Sequence, residues 1–111
     1  MSSIKNYVQL IGNVGKEPTI TNLEGGKKVA RFSLATNEQY KNSNNEKQTD
    51  TNWHTLVAWG AKADIIENYV FQGKELGVVG KLKTNNFTTE DGNKRYVTEI
   101  EVSEILFFNG N

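Results

Sequence analysis

The chain has 111 residues, one histidine and no cysteine, and its 13 basic side chains are matched by 13 acidic ones. That length fits a single domain spanning residues 1–111 with room for an apolar core. The composition excludes disulfides, thiolate metal sites and thiol catalysis, and zero net charge excludes a simple polycation without forbidding a locally basic groove.

Residues 4–14 read as a first strand with apolar residues on both parities, so burial on much of both faces is expected. Gly12 and Gly15 mark a bend or bulge near its end. Pro18 opens a short strand through Thr21, and Glu24-Gly25-Gly26-Lys27 is a hairpin signal. Lys28 to Thr36 alternates cleanly, with Ala30, Phe32 and Leu34 on one side. Asn37 to Thr51 is polar apart from Tyr40 and predicts a long loop, a feature that usually accompanies function or disorder.

Trp53-His54-Thr55-Leu56-Val57-Ala58-Trp59 follows as a strand. Its alternation puts Trp53, Thr55, Val57 and Trp59 on one face and His54, Leu56 and Ala58 on the other. Residues 61–71 form the one convincing helix, with Ala63, Ile66 and Val70 as its apolar stripe and Gly73 as its C-cap. Leu76 to Thr84 is a strand. Asp91-Gly92 is a two-residue turn that sets Phe87 opposite Tyr96, and a last strand runs from Lys94 to about Phe108. Its alternation slips near Ser103–Glu104, which predicts a bulge.

Counting the major strands, the order is β, β, β, helix, β, β. This predicts an all-β fold: a five-stranded Greek-key barrel of the oligonucleotide/oligosaccharide-binding (OB) type, with one short helix between strands 3 and 4 and extended hairpins.

Catalysis is hard to build from these residues. There is no nucleophile elbow, no phosphate loop and no histidine to pair with His54, so no enzyme activity, cofactor or metal is expected. Aromatic and cationic side chains are better represented. Tyr40, Trp53, Trp59 and Phe87 occupy positions that can open on one surface, with Lys62, Lys81, Lys83, Arg95 and Tyr96 nearby. Aromatic platforms grip unpaired bases without reading sequence, while cations track the phosphates. The competing reading makes the tryptophans core residues and the lysines a solvated strand face.

The chain resembles the bacterial single-stranded DNA-binding protein family over residues 4–108. The resemblance is carried by Asn6-Tyr7-Val8-Gln9-Leu10-Ile11-Gly12-Asn13-Val14-Gly15-Lys16-Glu17-Pro18, Val29-Ala30-Arg31-Phe32-Ser33-Leu34-Ala35-Thr36, Thr51-Asn52-Trp53-His54, Trp59-Gly60, Tyr69-Val70-Phe71-Gln72-Gly73-Lys74, Val79-Gly80-Lys81-Leu82-Lys83-Thr84 and Arg95-Tyr96-Val97-Thr98-Glu99. It implies sequence-independent binding of single-stranded DNA in replication, recombination and repair, by a homotetramer arranged as a dimer of dimers. It also implies base stacking at Tyr40, Trp53, Trp59 and Phe87, where the family commonly has Trp, Trp, Phe and Trp. His54, with Tyr7, falls at the implied subunit interface.

Family members also carry a flexible linker and an acidic tip that recruits other replication and repair proteins. This sequence stops at Phe107-Phe108-Asn109-Gly110-Asn111, so it resembles a short form and gives no support to recruitment through a tail. With no apolar run near the roughly 20 residues of a membrane helix and no secretory signal at Met1-Ser2-Ser3-Ile4-Lys5, the expected location is cytoplasmic, at the nucleoid. The alternative function is an OB module for RNA, an oligosaccharide or a protein partner.

Overall fold

The computed structural model describes residues 4–108, apart from the side chains of Ile4 and Phe87. Its strands are β1 (Val8–Val14), β2 (Thr19–Asn22), β3 (Lys28–Lys41), β4 (Lys47–Trp59), β5 (Glu75–Thr88) and β6 (Lys94–Phe107), with helix α1 (Ala61–Tyr69) between β4 and β5. Hydrogen-bonded neighbours run β1-β5-β6-β4-β3-β2, and β3 returns to β1 through Asn13↔Ala35 and Val14↔Leu34. Five strands therefore close into a barrel, and β2 adds to β3 outside it. The expected Greek-key barrel is present, with its helix where the sequence placed it.

All pairings are antiparallel except that of β4 with β6, which is parallel and joined through Leu56↔Ile100 and Val57↔Glu101. Closure on the β1 side depends on Gly12, because a Cβ there would collide with the Ala35 carbonyl oxygen. The interior is filled from alternate positions: Ala30, Phe32 and Leu34 of β3, Leu56 and Ala58 of β4, Leu76 and Val78 of β5, and Ile100 and Val102 of β6. Ala63, Ile66 and Val70 plug one end from α1 and the residue after it. The acidic side of the helix is tied to β3 by Lys28, whose Nζ lies 2.6 Å from both Asp64 Oδ1 and Glu67 Oε1. These two contacts, Asp64 first, raise the Lys28 pKa above its ordinary value.

Several expectations need correction. β1 buries one face rather than two, since Ile11 points outward and is exposed. The helix ends at Tyr69, with Val70 extended as its C-cap. Gly73 instead serves a turn beyond it, at φ 88°, donating its amide to the Val14 carbonyl.

Asn37 to Thr51 is not a loop. Its residues continue the β3–β4 ladder outward, from Asn37↔Thr51 to Lys41↔Lys47, as a finger beyond the barrel. The finger closes when the Asn42 amide donates to the Glu46 carbonyl at 3.0 Å and Asn45 adopts φ 63°. The Asn42 side-chain carbonyl adds two bonds, from the amides of Asn44 at 2.9 Å and Glu46 at 3.0 Å.

The β5–β6 finger ends the same way: Thr89 donates to the Asn93 carbonyl at 2.8 Å, and Gly92 sits at φ 86°. Both are three-residue hairpin loops that finish on a left-handed residue. The predicted two-residue turn is therefore wrong by one position, and Phe87 pairs with Arg95 while Asn86 pairs with Tyr96. The bulge falls where expected: Val79 pairs with Glu104 and Gly80 with Val102, leaving Ser103 extra, its Oγ donating to the Val79 carbonyl at 3.0 Å.

Candidate nucleic-acid interface

The outer face of β3, β4, β6 and β5 carries the tryptophans. Trp53 and Trp59 stand on one parity of β4 and remain 63% and 42% exposed. Directly opposite them on β3 are Ala35 and Val29, which are buried although they lie outside the core cluster. The Trp53 indole also lies against Gly15, where any Cβ would strike its ring and Ser33 Oγ. Each ring thus has an apolar seat and an open surface. Two of the strongest stacking groups available to a protein are held about 20 Å apart, by the roughly 3.3 Å rise over six strand residues.

Between the rings a transverse row crosses four strands: Arg31 on β3, Val57 on β4, Glu101 on β6 and Lys81 on β5. Lys83 occupies the next row, opposite Glu99. Glu101 lies 3.6 Å from Lys81 Nζ through Oε1 and 3.8 Å from Lys83 Nζ through Oε2. Glu99 is buried, and it accepts from Arg31 Nε and Asn85 Nδ2, both at 3.2 Å. The cations on this face are therefore preorganised by carboxylates that also offset them. A phosphate arriving here exchanges one anion for another, so its net electrostatic gain is smaller than three bare cations would give.

The predicted site residues do not all converge. Trp53, Trp59, Lys81 and Lys83 share this face, and Arg95 has the same parity farther out on the β5–β6 finger. Lys62 is on α1, three residues past Trp59. Phe87 lies outside the described side chains. Tyr40 and Tyr96 are both exposed, but the unbroken ladders put Tyr40 on the His54 side of its ribbon and Tyr96 on the side opposite Arg95. One shared surface for Tyr40, Trp53, Trp59 and Phe87 was expected on the assumption that Tyr40 sat in a loop. A continued strand preserves the two-residue period, and that period turns Tyr40 away.

Arg31 was missed. Its signal was available in the sequence, since it alternates with Phe32 onto the same outer side as Val29, but only the ladder register sets it beside Val57. His54 is half-buried, with Nε2 3.0 Å from Thr36 Oγ1. Among the described residues, no group of three or more His, Cys, Asp or Glu is placed to hold a metal ion. Nor is any described helix long and apolar enough to cross a membrane.

The sequence model of the Single-strand binding protein family matches residues 5–108. The chain belongs to the single-strand binding protein family. That membership meets the expectation of a binding protein rather than an enzyme. Among its relatives, Single-stranded DNA-binding protein 1 of Chlorobaculum tepidum is 38% identical over 101 residues, which is 90% of this chain and 62% of that protein. Single-stranded DNA-binding protein 3 of Clostridium acetobutylicum is 38% identical over 103 residues, or 92% of this chain and 69% of its own length. Among solved structures, the Plasmodium falciparum SSB complex with ssDNA superposes with a TM-score of 0.86 at 38% identity, covering 98% of both chains. This family member thus spans somewhat less than two thirds of the first of these relatives.

Proposed function

We propose that this chain binds single-stranded DNA without reading its sequence, in replication, recombination and repair. Trp53 and Trp59 stack unpaired bases, and Arg31, Lys81, Lys83 and Arg95 contact phosphates, with Lys62 extending the path past Trp59. Tyr40, Phe87 and Tyr96 contribute further rings from the two fingers. The observation that carries this reading is the pair of open indoles on one sheet face, seated on either side of a row of cations. Stacking at such rings contributes about 1–3 kcal/mol per base, enough to dominate where ion pairing is partly offset.

The active assembly is a homotetramer, a dimer of dimers with His54 and Tyr7 at its interface, working at the nucleoid in the cytoplasm. Self-association is supported by a second outer surface, a shallow apolar groove of about 440 Å³ bordered by Leu10, Ile11, Gly77 and Leu106. Ile11 and Leu106 are 52% and 60% exposed there in the single chain. Titrating tryptophan fluorescence with oligo-dT tests the binding, and light scattering tests the mass. Quenching by single strands but not by duplex or oligosaccharide is expected; an unquenched signal removes the tryptophan face from the function.

A further inference from the structure

A second group of aromatics lies at the plugged end of the barrel, away from the sheet face just described. The Tyr69 and Phe107 rings meet edge to face, with centroids 6.2 Å apart and planes at 69°. Lys74 Nζ sits 5.1 Å from the Phe71 centroid and 5.7 Å from that of Phe107. Tyr69, Phe71 and Phe107 are 62%, 53% and 38% exposed. Core packing uses Ile66 and Val70 from this region and leaves these three rings on the surface.

Helix α1 connects this cluster to Trp59. Its surface divides three ways: Ala63 and Ile66 face the core, Asp64 and Glu67 face Lys28, and Lys62, Ile65 and Tyr69 form an i, i+3, i+7 stripe free of carboxylates. Trp59 and the start of the helix are separated only by Gly60. Lys62 to Tyr69 covers about 10 Å of helix, at 1.5 Å per residue. Among the described residues, Lys62 and Lys74 have no ion-pairing carboxylate, unlike Arg31, Lys81 and Lys83. Free ammonium groups beside open rings are the chemistry that binds a phosphate next to a stacked base.

We propose that a single strand leaving Trp59 runs along the Lys62–Ile65–Tyr69 stripe and ends on a second platform, where a base stacks on Tyr69 and Lys74 holds a phosphate. This extension rests on the binding reading above. Its site differs from the groove at Ile11 and Leu106, because Phe107 pairs with Leu76 on the interior side of the sheet and Leu106 pairs with Gly77 on the exterior.

The test compares two oligo-dT lengths, about 4 and about 16 nucleotides, the range of sites found on one such barrel. Binding is read by tryptophan quenching in the whole chain and in its Tyr69→Ser and Lys74→Gln variants. Tyr69→Ser is expected to weaken the longer strand by about five-fold or more while leaving the shorter one unchanged. Lys74→Gln keeps the rings, and it should flatten the log–log salt slope for the longer strand by about 0.7, one phosphate's share on a single strand. Unchanged binding of the longer strand overturns the proposal, as does an equal loss at both lengths. A drop in assembly mass with binding intact overturns it as well, by showing that the platform joins copies of the chain. Failure of the unaltered chain to bind either length removes the primary reading too, so the two failures are distinguishable.

Discussion

On β4, Leu56 and Ala58 point into the barrel and are fully buried, whereas Trp53 and Trp59 on the other face keep 63% and 42% of their surface. The larger side chains, with the most apolar area, are the ones left outside. Hydrophobicity alone would have ranked them the other way, because burying an indole removes far more apolar area from water than burying an alanine. The side of the strand that closes on the barrel interior decides what is core. The opposite side is free to carry large groups open to solvent, which the proposed function assigns to the ligand. Val57 shows how local this is: it shares the tryptophan parity, yet it is buried between Arg31 and Glu101.

If the two faces are independent, substitutions should separate stability from binding. Leu56→Ala should cost about 2–5 kcal/mol of unfolding free energy, the range for a fully buried leucine, with affinity unchanged in whatever fraction stays folded. Urea denaturation beside a DNA titration measures both, and a purely functional loss would contradict the division. Trp53→Ala should do the reverse, losing about 1–3 kcal/mol of affinity for oligo-dT with a urea midpoint near that of the unaltered chain. A smaller effect is expected within the outer face. Glu101→Gln releases Lys81 and Lys83 from exposed ion pairs worth about 0–1 kcal/mol, so affinity should rise by up to about five-fold and its salt dependence should steepen. Weaker binding by this variant would mean that Glu101 positions the lysines more than it offsets them.

The smallest effect concerns pH. Because Asp64 and then Glu67 raise the Lys28 pKa, this clamp's contribution is fully present below the unfolded value near 10.4 and disappears as pH climbs through the higher folded value. Lys28→Met should therefore abolish a slight alkaline loss of stability, read as the urea midpoint between about pH 9 and pH 12. The contribution is modest because solvent screens both acidic partners.

Features fixed by a buried face were legible in the sequence. The β3 and β4 alternations, the Ser103 slip and the apolar stripe of α1 all follow from one side meeting the core. The fingers were not legible, because both faces of the Asn37–Thr51 ribbon are solvated and a ladder without a dry side leaves no period in composition. The hairpin register failed for a related reason. Gly92 takes a left-handed conformation in either a two- or a three-residue loop, so Asp-Gly alone does not choose between them. At the site, Trp53 and Trp59 could be read from parity. Arg31, and the turning away of Tyr40 and Tyr96, needed cross-strand register, which a single sequence does not contain.

The parallel junction of β4 with β6 is made by two residue pairs, and the row from Arg31 to Lys81 passes straight across it. Contacts between residues so distant in the chain form late and slowly, since the intervening segment must first be ordered. A nascent polypeptide that has displayed both indoles but not yet delivered β6 therefore has rings without their flanking Glu99 and Glu101. The face between the indoles is therefore completed only when β6 is seated, because that strand supplies the acceptor for Arg31 and the neighbour that covers Val57.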